Sequence, residues 1–324
     1  MSERLLPLAL HYADQVARLG SIQRTARESN VAASAIDRRI LRLERDLGVP
    51  LFERLARGMR PSPAGEAVIA LARQWRGDVR RLTDEIKAMK GISQGHVRIA
   101  AMDSHANGFL PSFIERLARE HPEITLDVEI TTTDRAAAAL LNGDVDCVVA
   151  FNLAPHRDLS VVAAAALPFG CIVAPGHPLA RDASTTLQAA AAFPIILQSR
   201  GLVIRRYLEA KHGWLFAGRQ PPVTTNSLQL LKMLARNGRY VAFTSELDAA
   251  AELIEGTLAF VPVRDAGAEA QGVSVATGAR KPSRLVQYVA GALATELREC
   301  LARIRAVDAN FAAREEIGAH GANT

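Results

Sequence analysis

Apolar positions near the start of the chain recur every three or four residues, which is the period of an α-helix. The spacing predicts helices over residues 6–19 and 22–29, with Gly20 ending the first and Ser21 capping the second. A third helix is predicted from Ala32 to Leu47. Three short helices with a tight turn between the second and third are typical of a helix-turn-helix.

The two faces of the third predicted helix differ in chemistry. At about 100° per residue, one face is apolar and should pack on the first two helices; it contains Ile36, Ile40, Leu43 and Leu47. The other face combines arginines with small residues, which would let the helix approach a DNA groove closely. The candidate DNA contacts from this helix are Ser34, Ala35, Arg38, Arg39 and Arg42. A solvated amphipathic helix, with Glu44 and Asp46 pairing the arginines, also fits the pattern.

Two short extended pieces follow, on either side of Arg57-Gly58. Glycine tolerates the positive φ of a tight hairpin, so the pieces predict a small β-wing. Its arginines, Arg54, Arg57 and Arg60, are candidate phosphate contacts. Ser62 and Pro63 are a helix cap and a first helical residue.

A long helix is predicted from Pro63 to about Met89. Its apolar positions alternate in steps of four and three, which is a heptad seam. The candidate dimerisation residues are Val68, Ala72, Trp75, Val79, Leu82, Ile86 and Met89. A helix packed on its own domain is the alternative, but the polar residues between the seam positions favour pairing with a second copy. Two copies would present two DNA-reading helices.

After the linker at 91–97, strand-like and helix-like segments alternate along the rest of the chain. The order predicts a parallel sheet with helices on both faces, repeated in a second unit, with late strands returning to the first. We expect two α/β lobes around a cleft. A C-terminal helix is predicted over 282–304. The predicted domains are a winged helix-turn-helix at 1–62, a linker helix at 63–92, lobe 1 at 93–163 and 266–302, lobe 2 at 164–265, and a disordered tail at 303–324.

The net charge of +5 on 324 residues is unevenly distributed. Residues 1–95 contain 17 basic and 11 acidic side chains, whereas the remainder contains 22 and 23. No lysine precedes Lys87, so the early basic groups are arginines, which bind phosphates and guanine edges in a bidentate fashion. A basic N-terminal region on a neutral body indicates a polyanionic partner.

Composition also excludes several classes of protein. The three cysteines are odd in number and far apart, which favours a reducing, cytoplasmic location over a disulfide framework. The N-terminus lacks the order of a signal peptide, and no run of apolar residues is long enough to span a membrane. Without a CxxC, an HExxH or a close histidine pair, we expect no metal and no cofactor.

Four stretches closely resemble the LysR-type transcriptional regulators: RESNVAASAIDRRILRLERDLGVPLFER (27–54), PSPAGEAV (61–68), VAPGHPLA (173–180) and NSLQLLKMLARNGRYVAF (226–243). The resemblance extends to about residue 302. It implies a winged helix-turn-helix, a dimerising linker helix and a two-lobed effector domain like a type II periplasmic binding protein. It further implies tetramers that bind promoter DNA and respond to a small molecule, with RNA polymerase as a further partner. The recognition helix departs from the family pattern at Ala32, Ala33 and Asp37, where serine, glutamine and serine are common.

Effector contacts are expected where strands end and helices begin, since backbone N–H groups are free there. The candidates in lobe 1 are Asp103, Ser104, His105, Thr132 and Asn152, and the resemblance favours Ser104. Those in lobe 2 are Gln198, Ser199, Arg200, Asn226 and Thr244. Hydroxyls, amides and an arginine suit a small organic acid. Asp103 leaves an amine-bearing or neutral ligand open.

Two other classes of function compete with a regulator. An enzyme fused to a DNA-binding module would require catalytic motifs, but GxGxxG is absent from the sequence. The one GxSxG match, GISQG at 91–95, lies in the predicted linker before the first strand and not in the strand-to-helix turn of a nucleophile elbow. A solute-binding protein is opposed by the basic N-terminal region and by the lack of a signal peptide. We therefore predict a regulator that is not an enzyme.

Overall fold

The computed structural model describes residues 7–55, 58–88, 95–200, 202–216, 221–265, 270–279 and 282–321. Two of the predicted site residues, Arg57 and Met89, lie outside these ranges.

The N-terminal region contains three short helices, a two-stranded wing and one long helix. They are α1 (Leu8–Leu19), α2 (Ile22–Ser29), α3 (Ala33–Leu47), β1 (Phe52–Leu55), β2 (Gly58–Pro61) and α4 (Pro63–Ala88). Ser21 caps α2, because its side chain accepts a hydrogen bond from the Arg24 N–H. Ile36 and Ile40 are buried as predicted. Leu47 is 48% exposed, so the predicted apolar stripe of α3 ends before the helix does.

The wing is an antiparallel hairpin anchored to the end of α1. Leu55 pairs with Gly58, and the N–H of Met59 donates to the Gly20 carbonyl at 2.8 Å. Gly58 has a φ of 105°, and a Cβ there would lie 2.5 Å from the same carbonyl oxygen. Only glycine therefore fits where the wing meets α1.

The long helix α4 begins at a cap that also closes the wing. Ser62 Oγ accepts from the Gly65 N–H at 3.0 Å and donates to the Pro50 carbonyl at 2.7 Å. The first turns of α4 pack on α1 through the buried Ile69 and Ala72.

The rest of the chain folds into two α/β lobes. In chain order its elements are β3 (Gly95–Ala101), α5 (Asp103–Ala106), α6 (Leu110–Glu120), β4 (Ile124–Ile130), α7 (Thr133–Leu141), β5 (Cys147–Phe151), β6 (Leu159–Leu167), β7 (Phe169–Val173), α8 (Leu187–Ala190), β8 (Ile195–Gln198), α9 (Val203–Lys211), β9 (Val223–Thr225), α10 (Leu228–Ala235), β10 (Val241–Ser245), α11 (Ala250–Ile254), β11 (Ala259–Pro262), β12 (Gln271–Gly278) and α12 (Arg284–Gly321).

Each lobe is built on one five-stranded sheet. The order is β4-β3-β5-β12-β6 in lobe 1 and β11-β7-β10-β8-β9 in lobe 2. The predicted return of a late strand to lobe 1 is confirmed by β12, which pairs with both β5 and β6. Both pairings are antiparallel, so the sheet is mixed rather than parallel as predicted. The reason is the connection, since β12 enters lobe 1 from the other lobe and not through a helical crossover.

The lobes are joined by two crossings. β6 continues to Leu167 in the first sheet, and β7 begins at Phe169 in the second. The predicted boundary at 163/164 therefore falls inside β6, and the first crossing lies at Pro168. The second crossing lies between β11 and β12.

The C-terminal helix α12 packs on lobe 1 through a buried face that includes Val289, Leu293, Leu297 and Ile304. We expected disorder from residue 303, but the helix continues to Gly321. Residues 305–321 are rich in alanine, glutamate and arginine and contain no proline, which favours a helix. In the described part of the chain, no helix combines the length and apolarity needed to cross a membrane.

Candidate DNA interface and effector cavity

The predicted DNA-reading face of α3 lies on the surface. Ser34, Arg38, Arg39 and Arg42 are exposed, and Ala35 is half-buried. The Nε of Arg38 donates to the Ser34 carbonyl at 3.2 Å, so this side chain lies back along the first turn of the helix. Neither Arg38 nor Arg39 has a carboxylate within 4.0 Å among the described residues.

The acidic residues of α3 do not neutralise this face, as a solvated amphipathic helix would require. Glu44 instead accepts from the N–H groups of Leu51 and Phe52, at 2.7 and 3.2 Å, and so holds the loop before the wing. Asp46 lies 4.0 Å from Arg42, and both side chains are mostly exposed, so this pair contributes little. The arginine face therefore keeps most of its positive charge.

Asp37, where the family pattern has serine, pairs with the wing. The Nη2 of Arg54 donates to Asp37 Oδ1 at 2.7 Å, which joins β1 to α3. The pair reduces the repulsion that this carboxylate would exert on a phosphate. Arg60 is exposed on β2 without such a partner among the described residues.

A shallow groove runs between α2, α3 and the wing. Ser34, Asp37 and Arg54 border it, and so does Gln23, which sequence reasoning did not select. The signal was available, because Gln23 lies in the first turn of α2, just after the Ser21 cap. In a helix-turn-helix the helix before the recognition helix, here α2, crosses the DNA backbone.

The predicted dimerisation seam of α4 divides between two faces. Trp75, Leu82 and Ile86 are 43–49% exposed, and Leu71, which was not predicted, is 47% exposed. Ala72 and Val79 are buried within the chain itself, and Val68 is half-buried. The heptad spacing did not distinguish a face covered by the same chain from one left open. The open face is hereafter called the α4 stripe, and it consists of Leu71, Trp75, Leu82 and Ile86.

A charge network joins the DNA-binding helices to lobe 1. Asp14, which is buried on α1, forms ion pairs with Arg73 and Arg76 of α4. The Nε of Arg73 donates to Asp14 Oδ1 at 2.6 Å, and its Nη1 donates to Asn142 Oδ1 of lobe 1 at 2.8 Å. Arg76 lies 3.5 Å from Asp144 of the same lobe. Both arginines therefore contact Asp14 and lobe 1 at once.

Between the lobes lies a cavity of about 380 Å³, bordered by the ends of strands from both sheets. The predicted residues that line it are Asp103, Ser104, Thr132, Gln198 and Asn226. Ser104 is 5% exposed, and its hydroxyl makes no hydrogen bond to any described residue. A buried hydroxyl at a cavity wall, without a partner in the part of the chain that the structure describes, suits a ligand contact.

His105 follows Ser104 in the chain but belongs to the core. It is fully buried, stacks on Phe151 with ring centroids 5.2 Å apart, and accepts at Nδ1 from the Met102 N–H at 3.2 Å. Burial lowers the pKa of His105 to about 3. The imidazole of His105 therefore packs in the core, and the structure does not bring it to the cavity with the other predicted residues.

Four further predicted residues do not line the cavity. Asn152 donates to Gln271 Oε1 at 2.7 Å and accepts from the Gly272 N–H at 2.8 Å, so it fixes the start of β12. Thr244 is fully buried and bonds to Asp248. Arg200 is exposed and pairs with Glu209 at 3.2 Å.

Ser199, the fourth of them, is half-buried, and its backbone N–H donates to the Thr225 carbonyl at 2.9 Å, which connects β8 to β9.

Seven polar residues that line the cavity are not among the predicted candidates: Thr131, Arg135, Thr225, Ser227, Ser245, Asp248 and Gln271. Arg135 lies in the first turn of α7, soon after the predicted Thr132. Asp248 forms a capping box with Ser245, and the spacing of serine and acid three residues apart was a readable signal. Gln271 begins the strand that returns from the other lobe, so no local pattern places it at the cavity.

A winged helix-turn-helix, a long helix with an apolar stripe and a two-lobed domain around a cavity define a DNA-binding transcriptional regulator with an effector-binding domain. Two family models match the chain: "Bacterial regulatory helix-turn-helix protein, lysR family" over residues 8–66, and "LysR substrate binding domain" over residues 90–298. The chain belongs to the LysR family of transcriptional regulators.

Relatives with curated names are similar over much of their length. The RuBisCO operon transcriptional regulator of Allochromatium vinosum is 29% identical over 202 residues, which are 62% of this chain and 66%, just under two thirds, of that one. The HTH-type transcriptional regulator BbuR of Bordetella bronchiseptica is 26% identical over 253 residues, 78% of each chain. A probable nitrogen assimilation transcriptional activator of Synechocystis is 30% identical, over 67% of this chain and 69% of that one.

Solved structures share the fold. A full-length OxyR variant of Pseudomonas aeruginosa has a TM-score of 0.64 at 22% identity, over 90% of this chain and 93% of that one. ArgP of Mycobacterium tuberculosis has a TM-score of 0.60 at 20% identity, over 90% and 96%. Full-length CbnR complexed with its target DNA has a TM-score of 0.54 at 19% identity, over 89% and 98%.

Proposed function

We propose that this protein binds promoter DNA with α3 in the major groove and with the wing arginines on the phosphate backbone. The observation that carries the proposal is the exposed arginine face of α3, where Arg38 and Arg39 have no carboxylate partner among the described residues. The structure of CbnR with its target DNA, whose fold this chain shares, supports the same use of the N-terminal region.

We further propose that a small-molecule effector binds in the cavity between the lobes and changes the affinity for DNA. Ser104, Thr132, Gln198 and Asn226 are the proposed contacts from the predicted set, and Arg135 and Gln271 are added to them. The network of Asp14, Arg73 and Arg76 offers a physical connection, because a movement of lobe 1 would act on α4 and α1 through it.

The proposed assembly is a dimer formed by the α4 stripe, with a tetramer as the full regulator. Four large apolar side chains in one row are unusual on the surface of a monomer and typical of a helix that pairs with another copy. We propose a cytoplasmic location and a contact with RNA polymerase at the promoter. We also propose that the protein performs no catalysis, in agreement with relatives that are named as regulators.

The experiment is a genomic binding-site selection with the purified protein at several salt concentrations. A recovered inverted repeat and a steep loss of affinity with salt are the expected results. Weak binding that does not depend on sequence, with or without cell extract as a source of effector, would contradict the proposal.

Arg38→Ala tests the recognition helix. We expect it to weaken binding to the recovered site by about 1–3 kcal/mol and to relax base preference at one position. Arg157→Ala is the matched control, since Arg157 is a strongly exposed arginine in lobe 1. If Arg38→Ala changes affinity no more than the control does, Arg38 is not a recognition residue.

A further inference from the structure

The cavity contains a buried carboxylate that the protein satisfies on one side only. Asp248 is 7% exposed and lies in the 3₁₀ turn Glu246–Ala249 that follows β10. Its Oδ2 accepts from the N–H and the hydroxyl of Ser245, both at 3.0 Å, and from the hydroxyl of Thr244. All of the hydrogen bonds that the Asp248 side chain accepts from described residues end on this one oxygen.

The other oxygen, Oδ1, has no donor among the described residues, and no lysine, arginine or histidine of that part of the chain lies within 4.0 Å of Asp248. The buried lysine of the same lobe, Lys232, is paired with Glu252 at 2.9 Å, and Arg236 lies 3.6 Å from the same carboxylate. A buried carboxylate without a cation is costly unless something else supplies the missing donor.

The opposite wall of the cavity has the opposite character. Arg135 lines it from α7, and no described carboxylate lies within 4.0 Å of its guanidinium. The hydroxyls of Ser104 and Thr132 line the same side, and so does the exposed carboxylate of Asp103. Apolar side chains line much of the rest of the cavity, among them Ile130, Phe151, Leu202, Ile204 and Leu228.

We infer that the effector is a small zwitterion, with a protonated amine facing Asp248 and an acidic group facing Arg135 and Ser104. The inference rests on the proposed function and narrows its effector from organic acids in general to amino acids and their close derivatives. An organic anion without an amine would offer no donor to Asp248 Oδ1 and would bring a further negative charge into a cavity that the carboxylates of Asp103 and Asp248 already line. The apolar lining would hold the hydrocarbon part of the ligand.

A purely structural role for Asp248 explains the contacts of Oδ2 but not the lack of a described donor for Oδ1. As the acid of a capping box, Asp248 needs one oxygen for the start of the 3₁₀ turn, and Oδ2 supplies it. Asp248→Asn separates the two roles, because an asparagine keeps the capping oxygen and loses the negative charge.

The test measures binding to the full-length protein by calorimetry and thermal shift, with probes in matched sets of three. Each set contains a common α-amino acid, the carboxylate that lacks its amine, and the amine that lacks its carboxylate; leucine, 4-methylpentanoate and isopentylamine form one set. We expect at least one amino acid to bind about tenfold or more tightly than its matched carboxylate. Asp248→Asn should remove this preference while keeping the circular dichroism spectrum of the wild type.

A second variant keeps the test decisive if Asp248→Asn fails to fold. Arg135→Gln, on an exposed helix surface, should lower the affinity for amino acids and leave the affinity for the matched amines unchanged. Asp134→Asn alters a neighbour outside the cavity lining and should change neither affinity. If carboxylates bind as tightly as their amino acids, or if no amino acid binds, the inference is overturned. Recovery of a specific DNA site in the same preparations would leave the proposed function standing, so the two failures are distinguishable.

Discussion

Removing the carboxylate of Asp14 should loosen the joint between the DNA-binding helices and the rest of the molecule. The side chain of Asp14 is 7% exposed, and it pairs with Arg73 and Arg76, whose side chains are 22% and 30% exposed. Breaking a fully buried ion pair by removing one partner costs about 3–5 kcal/mol. Here both arginines reach some water and keep partners in lobe 1, which lowers the cost. We therefore expect Asp14→Ala to reduce the free energy of unfolding by about 2–3 kcal/mol.

The assay is urea unfolding monitored by circular dichroism, and the transition of interest is the one in which α1 and α4 unfold. A double-mutant cycle with Arg73→Ala isolates the pair, and we expect a coupling energy of about 1–3 kcal/mol. Asp37→Ala is the matched control, because its partner Arg54 is 63% exposed and such pairs contribute about 0–1 kcal/mol. If Asp14→Ala costs no more than Asp37→Ala, or if the cycle is additive, the network does not hold α1 against α4.

Two further predictions concern assembly and pH. Leu82→Lys should convert dimers to monomers, because it places a charge in the α4 stripe. Light scattering measures the mass of the particle in solution, and Gln74→Lys is the control. If Leu82→Lys leaves the mass unchanged, Leu82 is not part of the interface. His105 has its pKa lowered to about 3 in the fold, below its ordinary value of 6.5. The neutral form is therefore the one that the fold stabilises, and this stability is fully present above pH 6.5 and is lost as the pH falls towards 3. His105→Gln should reduce the loss of stability in urea between pH 7 and pH 4.5, and an equally steep loss in the variant would show that His105 does not titrate this way.

Local signals were enough to predict the helix-turn-helix. Gly20 adopts a left-handed conformation at the end of α1, and Ser21 caps α2, as their residue types indicate. Such signals act over a single turn of chain and do not depend on distant residues. The same applies to strand ends, which is why Ser104, Thr132 and Gln198 were correctly expected to line a cavity.

Predictions failed where a contact with a distant segment was needed. Ala72 and Leu82 both lie on the apolar part of α4, but only the packing of the rest of the chain leaves Leu82 open and covers Ala72. His105 and Ser104 are neighbours in sequence, and the orientation of one short helix turns the first towards the core and the second towards the cavity.

The amino-acid order alone determined which segments form the helices of the first domain, how rich in arginine that domain is, and how strands and helices alternate after it. Each of these properties arises from residues close together along the chain. The shape and charge of the cavity between the lobes do not arise in this way. Gln271 reaches the cavity only because the chain crosses twice between the lobes, and Asp248 of lobe 2 lines it together with Arg135 of lobe 1. Contacts between segments far apart in sequence depend on how the whole chain packs. Periodicity and residue type report only on the local stretch of chain, so they do not predict such contacts.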